Sequence, residues 1–142
     1  MEWLAEYDLG IKVIDDQHRR IVDYINELEK AHGMGNSGFT SFVLDGLLDY
    51  TLTHFQFEEK LQEKAGYPYL KAHKRIHAIF IKRIAGFRER FSGGEDITGE
   101  LLDMLQTWLS SHIKGDDRDY KELLQMNLAR DPTWAEAEDL PF

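Results

Sequence analysis

Apolar residues recur along this chain at steps of three and four. One seam runs through Ile14, Ile21, Ile25 and Leu28, and a second through Leu44, Leu47, Thr51 and Leu61. A third reads Leu70, Phe80, Ile84, Phe87 and Phe91, and a fourth Leu101, Leu105 and Trp108. This is the period of amphipathic helices that turn one stripe toward a core. GMGNSG (33–38), AGYP (65–68) and SGG (92–94) interrupt it with turn chemistry. Helices are therefore expected over roughly 15–32, 39–64, 69–91 and 96–114, with a shorter one over 117–130. Short connections between helices of similar length favour antiparallel neighbours. The expected fold is all-α, an antiparallel up-down-up-down four-helix bundle with a short C-terminal helix. Residues 1–13, with Trp3 and Tyr7, are expected to pack as an extended N-terminal arm. Residues 1–130 then form the bundle, and 131–142, DPTWAEAEDLPF, an acidic tail to which no element is assigned.

The seams have gaps, and the residues in the gaps carry chemistry. His18 stands between Ile14 and Ile21, and His54 and Glu58 stand between Thr51 and Leu61. His73 and His77 stand between Leu70 and Phe80, and His112 follows Trp108 by four. Helical spacing turns these five imidazoles and one carboxylate toward a common interior, at least one from each helix. The sixth histidine, His32, ends the first helix, where a cation suits the helix dipole. Burying Glu58 as an unpaired ion would cost several kcal/mol. A metal removes that penalty, because it demands neutral imidazole and ionised carboxylate.

Composition narrows the chemistry. The 142 residues are 42% hydrophobic, enough for one domain with one core. There is no cysteine, which excludes disulfides, thiolate metal sites and cysteine nucleophiles. The net charge of −9 argues against nucleic acid or an anionic membrane as partner. The start, MEWLAEYDLG, has no signal-peptide pattern, no apolar run approaches a membrane span, and the cytoplasm is the expected location. Five imidazoles exceed what one tetrahedral zinc accepts. Nitrogen-rich ligation with carboxylates suits iron, and two ions sharing carboxylates is the economical arrangement. Such a pair wants one more bridging carboxylate, and HIKGDD (112–117) offers two. Asp116 shares the face of His112 in a regular helix, whereas Asp117 is rotated by about 140°. Asp117 turns inward only if the helix distorts or ends, which Gly115 permits. Spacing leaves the two open. A ferritin-like carboxylate site needs two ExxH motifs, and this chain has only EKAH (29–32).

His18 in IDDQH, HFQFE (His54 to Glu58), HKRIH (His73 to His77) and HIKGDD (His112 to Asp117) together resemble the ligand pattern of the hemerythrins. Trp3, Gly10, Asp15 and Gln17 with His18, and the Tyr67–Pro68 turn, resemble the bacterial branch, and the likeness covers roughly residues 3 to 125. The resemblance implies Asp117 rather than Asp116 as ligand. It implies two iron ions in an oxo- or hydroxo-bridged centre, one held by His73, His77 and His112 and the other by His18 and His54. Glu58 and Asp117 bridge the pair, and the two-histidine iron is the open one. Reversible dioxygen binding for storage, transport or delivery follows, with no enzymatic turnover. Phe55, Trp108, Leu109 and Ile113 are placed to wall the oxygen pocket, the last three with support from the resemblance. The second function is sensing of oxygen, iron or redox state through a partner protein, contacted by residues 131–142 with Trp134 and Phe142. Peroxide or nitric oxide turnover ranks third, since no protein acid or base beyond the ligands stands near the pocket.

Overall fold

The computed structural model describes residues 1–136, and among them the regular elements are all helical. Five α-helices follow one another: α1 (Lys12–Gly33), α2 (Ser37–Ala65), α3 (Leu70–Ser92), α4 (Thr98–His112) and α5 (Arg118–Arg130). α1 packs on α2 and α4, α2 packs also on α3, and α5 lies against α2. These neighbours make the four-helix bundle that the seams predict. None of the helices among the described residues is long and apolar enough to cross a membrane.

Local chemistry sets the ends. The Asn36 side chain accepts from the Phe39 amide at 2.9 Å and starts α2. Gly66, at φ 73°, stops it in the left-handed conformation that glycine adopts without strain, and the Tyr67 amide closes on the Gln62 carbonyl at 2.9 Å. Pro68 then keeps the chain from continuing α2.

The core holds Ile14, Ile25 and Leu28 of α1, Leu44, Leu47 and Leu61 of α2, Phe80 and Ile84 of α3, and Leu101 and Leu105 of α4. Each such side chain contributes about 1.5–3 kcal/mol by leaving water. This apolar packing fixes the helices relative to one another, and so fixes the polar layer between them.

Three features differ from the sequence expectation. The N-terminal arm contains a single 3-10 turn, Ala5–Tyr7, which buries Tyr7 and brings its hydroxyl 3.2 Å from Ser110 Oγ. The fourth and fifth helices are not separated by a loop, because a π-helical turn, Ile113–Asp117, joins them. In the tail, Trp134 is buried against the protein's own bundle, with Lys64 Nζ donating to its carbonyl at 2.6 Å. Phe142 lies outside the described residues.

Candidate metal centre

The gap residues converge. His18, His54, Glu58, His73, His77, His112 and Asp117 are each at most 3% exposed, in a layer that crosses all four helices of the bundle. They form two groups. Glu58, His73, His77, His112 and Asp117 can offer one ligand atom each to a common point, and His18, His54 and Glu58 to a second.

Asp117 reaches the interior through the π turn. In a π-helix the hydrogen bond spans five residues instead of four, so the residue five positions on lies above the first. Asp117 therefore stacks over His112, with Oδ1 3.1 Å from His112 Nε2. Asp116 is turned half outward and receives His112 Nδ1–H on Oδ2 at 2.9 Å. Both aspartates serve the same imidazole, from opposite sides of the ring.

Each buried carboxylate divides its oxygens between the two groups. Glu58 Oε1 lies 2.7 Å from His73 Nε2 and 3.2 Å from His77 Nε2, whereas Oε2 lies 3.2 Å from His54 Nε2. Asp117 Oδ1 faces His73 and His112, each at 3.1 Å, and Oδ2 faces His18 at 3.2 Å. Adjacent ligands on an octahedral ion with bonds of about 2.1 Å stand about 3.0 Å apart. Most of these separations are of that size.

The hydrogen bonding also fits a cation. His77 Nδ1–H donates to Glu59 Oε2 at 3.1 Å and His112 Nδ1–H to Asp116. Their Nε2 atoms face each other at 3.0 Å, a separation that calls for one shared positive charge between them, a proton or a metal ion. Neither Asp117 oxygen has a hydrogen bond, and neither nitrogen of His18 has one, although all four atoms are buried. A buried carboxylate without partners costs several kcal/mol unless a cation compensates it.

The electrostatic surroundings make the same demand. Burial disfavours charge on His18, but Asp117 and Glu58 more than offset it and lift the imidazole to about 9. The same balance lifts His73 to about 9, and Asp117 with Asp116 lifts His112 to about 10. His54 goes the other way, because burial outweighs Glu58. Burial would raise Glu58, but the surrounding imidazoles hold it well below the usual carboxylate range. Protons thus gather where a metal would sit.

A cavity opens beside the centre, between His18, His54 and His112 at one end and Ile25 and Leu47 at the other. The centre of a water-sized sphere has about 10 Å³ in it, about the room of one small molecule. Phe55, Trp108 and Leu109 are among its walls. Phe55 stacks flat on His77 at 3.7 Å, and Trp108 stacks on His112 at 4.3 Å and on Phe80 at 3.7 Å. Ile113 is fully buried but is not one of the wall residues, since the residue after His112 points about 100° away. Thr51 supplies a hydroxyl group to the walls.

Further contributors have no signature in the seams. Gln17 Oε1 accepts from His54 Nδ1–H at 2.6 Å, which leaves Nε2 free to ligate. Tyr120, fully buried, donates its hydroxyl to Glu58 Oε2 at 3.1 Å. Asp15 receives the Leu9 and Gly10 amides at 2.9 and 3.1 Å and so anchors the start of α1. Gly10 is at φ 76°, and a Cβ there would meet Gln125 Nε2 at 2.6 Å.

Comparison with known proteins agrees with the geometry. Residues 9–124 match the family described as "Hemerythrin HHE cation binding domain". A bacteriohemerythrin of Stenotrophomonas maltophilia is 48% identical over 126 residues, 89% of this chain and 82% of that protein. One from Pseudomonas aeruginosa is 43% identical over 127 residues, 89% of this chain and 83% of its own. A crystal structure of wild-type hemerythrin superposes with a TM-score of 0.83 at 32% identity, covering 87% of this chain and 97% of that one. The chain belongs to the hemerythrin family.

Proposed function

We propose that this protein binds dioxygen reversibly at a non-haem di-iron centre, for storage, transport or delivery. His73, His77 and His112 would hold one iron and His18 and His54 the other, with Glu58 and Asp117 shared between them. The observation that carries this reading is the asymmetry of the layer. Three imidazoles serve one group and two the other, while each carboxylate splits its oxygens between them. The two-histidine group is one ligand short, and its imidazoles border the apolar cavity.

When bound, the iron pair supplies an open coordination position and two electrons, one from each ferrous ion. The chain's own residues do the rest. Gln17 and Glu59 fix the orientation of His54 and His77 by holding their Nδ1–H groups. Tyr120 holds its proton on Glu58 Oε2, and burial pushes its hydroxyl well above the usual phenol range, so it does not release that proton. Phe55, Trp108 and Leu109 exclude water from the cavity, where a stray proton would favour irreversible oxidation.

The reading is of a carrier and not an enzyme, because the cavity walls offer the ligating imidazoles and the Thr51 hydroxyl but no separate general acid or base. Its working location is the cytoplasm, a reducing compartment that favours the ferrous state. Sensing through a partner at residues 131–142 is the weaker reading, because Trp134, one of its two aromatic contacts, is turned into the bundle.

The test is iron content, with the visible spectrum followed as oxygen is added to the reduced protein and withdrawn. About two irons per chain and a charge-transfer band that appears and fades with oxygen are expected. Two irons that oxidise once, with no reversible band, would reject the proposal. Trp108→Ala is expected to keep the iron and accelerate autoxidation by on the order of tenfold, because water gains entry to a dry site. An unchanged autoxidation rate would remove Trp108 from the water barrier.

A further inference from the structure

A line of tyrosines runs from the polar layer to the surface. Tyr120, whose hydroxyl meets Glu58, has its ring centre 5.8 Å from that of His73. Tyr67 lies 6.2 Å from Tyr120, and Tyr69 lies 5.8 Å from Tyr67. Exposure rises along this line, from 0% at Tyr120 through 9% at Tyr67 to 62% at Tyr69. The Tyr67 hydroxyl is held by Asp119, so the middle ring cannot swing out of line.

Tyr69 stands at the head of α3, and that helix has an unusual charge. Its single acidic residue is Glu89, and its Arg88 and Arg90 pair with Asp45, Glu95 and Glu100. Lys71, Lys74, Arg75, Lys82 and Arg83 are exposed and have no carboxylate within salt-bridge reach among the described residues. At about 100° per residue, Lys71, Arg75 and Lys82 fall within roughly 40° of one another, with Ile79 beside them. Ile79 is 57% exposed. A chain of net charge −9 thus presents one cationic stripe with an apolar contact in it, and Tyr69 is exposed at the end of the same helix, on the neighbouring face beside Asp116 and Asp119.

We propose that the outer face of α3, with Tyr69 at its head, docks an acidic one-electron carrier protein that returns the oxidised iron pair to the ferrous state. The proposal rests on the di-iron reading above. Cationic side chains steer and orient an acidic partner, and Ile79 supplies a desolvated contact. Electrons then cross by tunnelling through Tyr69, Tyr67 and Tyr120 to His73, because π systems present a lower barrier than saturated packing. The balance closes with two carriers, each oxidised by one electron. Together with one proton taken by the bridging oxygen, they convert a diferric oxo-bridged pair to a diferrous hydroxo-bridged one. No tyrosine is itself oxidised.

The experiment uses a reduced acidic [2Fe–2S] ferredoxin as carrier and photoreduced deazariboflavin as a small neutral donor. Reduction of the diferric protein is followed by stopped flow. Lys71→Glu/Arg75→Glu/Lys82→Glu is expected to slow reduction by ferredoxin on the order of tenfold or more at low salt, and to leave reduction by deazariboflavin unchanged. Tyr69→Leu is expected to slow the ferredoxin reaction with the visible spectrum unaltered. In the metal-free protein, oxidised ferredoxin is expected to shift amide resonances over residues 69–83, and added salt to reverse this. Wild-type rates in either variant, shifts on another face, or slowing by Trp108→Leu but not Tyr69→Leu would overturn the proposal. Loss of the reversible oxygen band in the unmodified protein would instead reject the oxygen-binding reading, and the docking shifts, read without iron, would stand apart from it.

Discussion

Glu58→Ala is expected to leave the purified protein almost without iron, whereas His54→Ala is expected to retain about one iron per chain and lose dioxygen binding. The difference follows from where each side chain points. Glu58 presents one oxygen to His73 and His77 and the other to His54, so its loss removes a ligand atom from both groups at once. It also takes away the carboxylate that four imidazoles share, His18, His54, His73 and His77. His54 touches the two-histidine group alone, and without it His18 is the sole imidazole there. Helix content is expected to hold in both variants, because Ile14, Leu44, Ile84 and Leu101 belong to an apolar core that does not depend on the polar layer. Iron analysis, the oxygen difference spectrum and circular dichroism on the same samples check all three statements. A Glu58→Ala protein with its full iron content would contradict the bridging assignment.

Removing the metal is expected to lower stability and to make it fall with rising pH, the second large effect. In the metal-free protein His18, His73 and His112 have folded values of about 9, 9 and 10, against 6.5 when unfolded. A raised folded value stabilises fully below the unfolded one and ceases to do so as pH rises through the folded one. Metal-free protein therefore loses on the order of a few kcal/mol between pH 6.5 and 10. His54, depressed by burial, works against this only below about pH 6.5. Glu58 and Asp117, both depressed, withdraw their contribution as pH falls below the usual carboxylate range. Iron-loaded protein escapes that alkaline loss, since its ligating imidazoles carry no proton; it gains stability as pH rises to about 7.5, where the unfolded imidazoles give up theirs, and changes little from there to 9. Two ions, each at about a thousand times its Kd, add about 8 kcal/mol, or roughly 15–30 °C in Tm for a chain of this size. Melting curves of both forms at pH 6.5, 8 and 9 decide the matter. Parallel slopes would show that protons do not gather at the centre when the metal leaves.

The helices and most of the layer were legible because a bundle core has a strict period, and the polar residues of the layer occupy slots in it. His18, His54, Glu58, His73, His77 and His112 announce themselves as polar residues where the seam demands apolar ones. Asp117 does not, since it is out of phase with His112 until a π turn is allowed for. Asp116 looks like the better ligand by helical spacing, and the structure instead pairs it with Nδ1 of His112. Gln17 and Glu59 are hidden for another reason. They act on imidazoles of other helices, across distances in sequence that no local pattern encodes. The docking of Trp134 is equally a matter of tertiary contact, because a tryptophan in an acidic tail carries no sign of the surface it will cover.

The π turn has a consequence beyond ligand placement. A helix interrupted this way contains one residue more than an uninterrupted helix of the same length would use. Deleting a single residue between 113 and 116 would restore regular winding. If the π turn were kept instead, the deletion would put every later side chain about 100° out of phase with its present contacts. Asp117, Tyr120 and Leu124 share one clock: the first enters the polar layer, the second reaches Glu58 and the third fills the core. An insertion at this junction would therefore move all three at once, whereas a single deletion is accommodated only by trading the π turn for regular winding. The number of residues around Gly115 is tied to the phase of the polar layer on one side and of the last helix on the other.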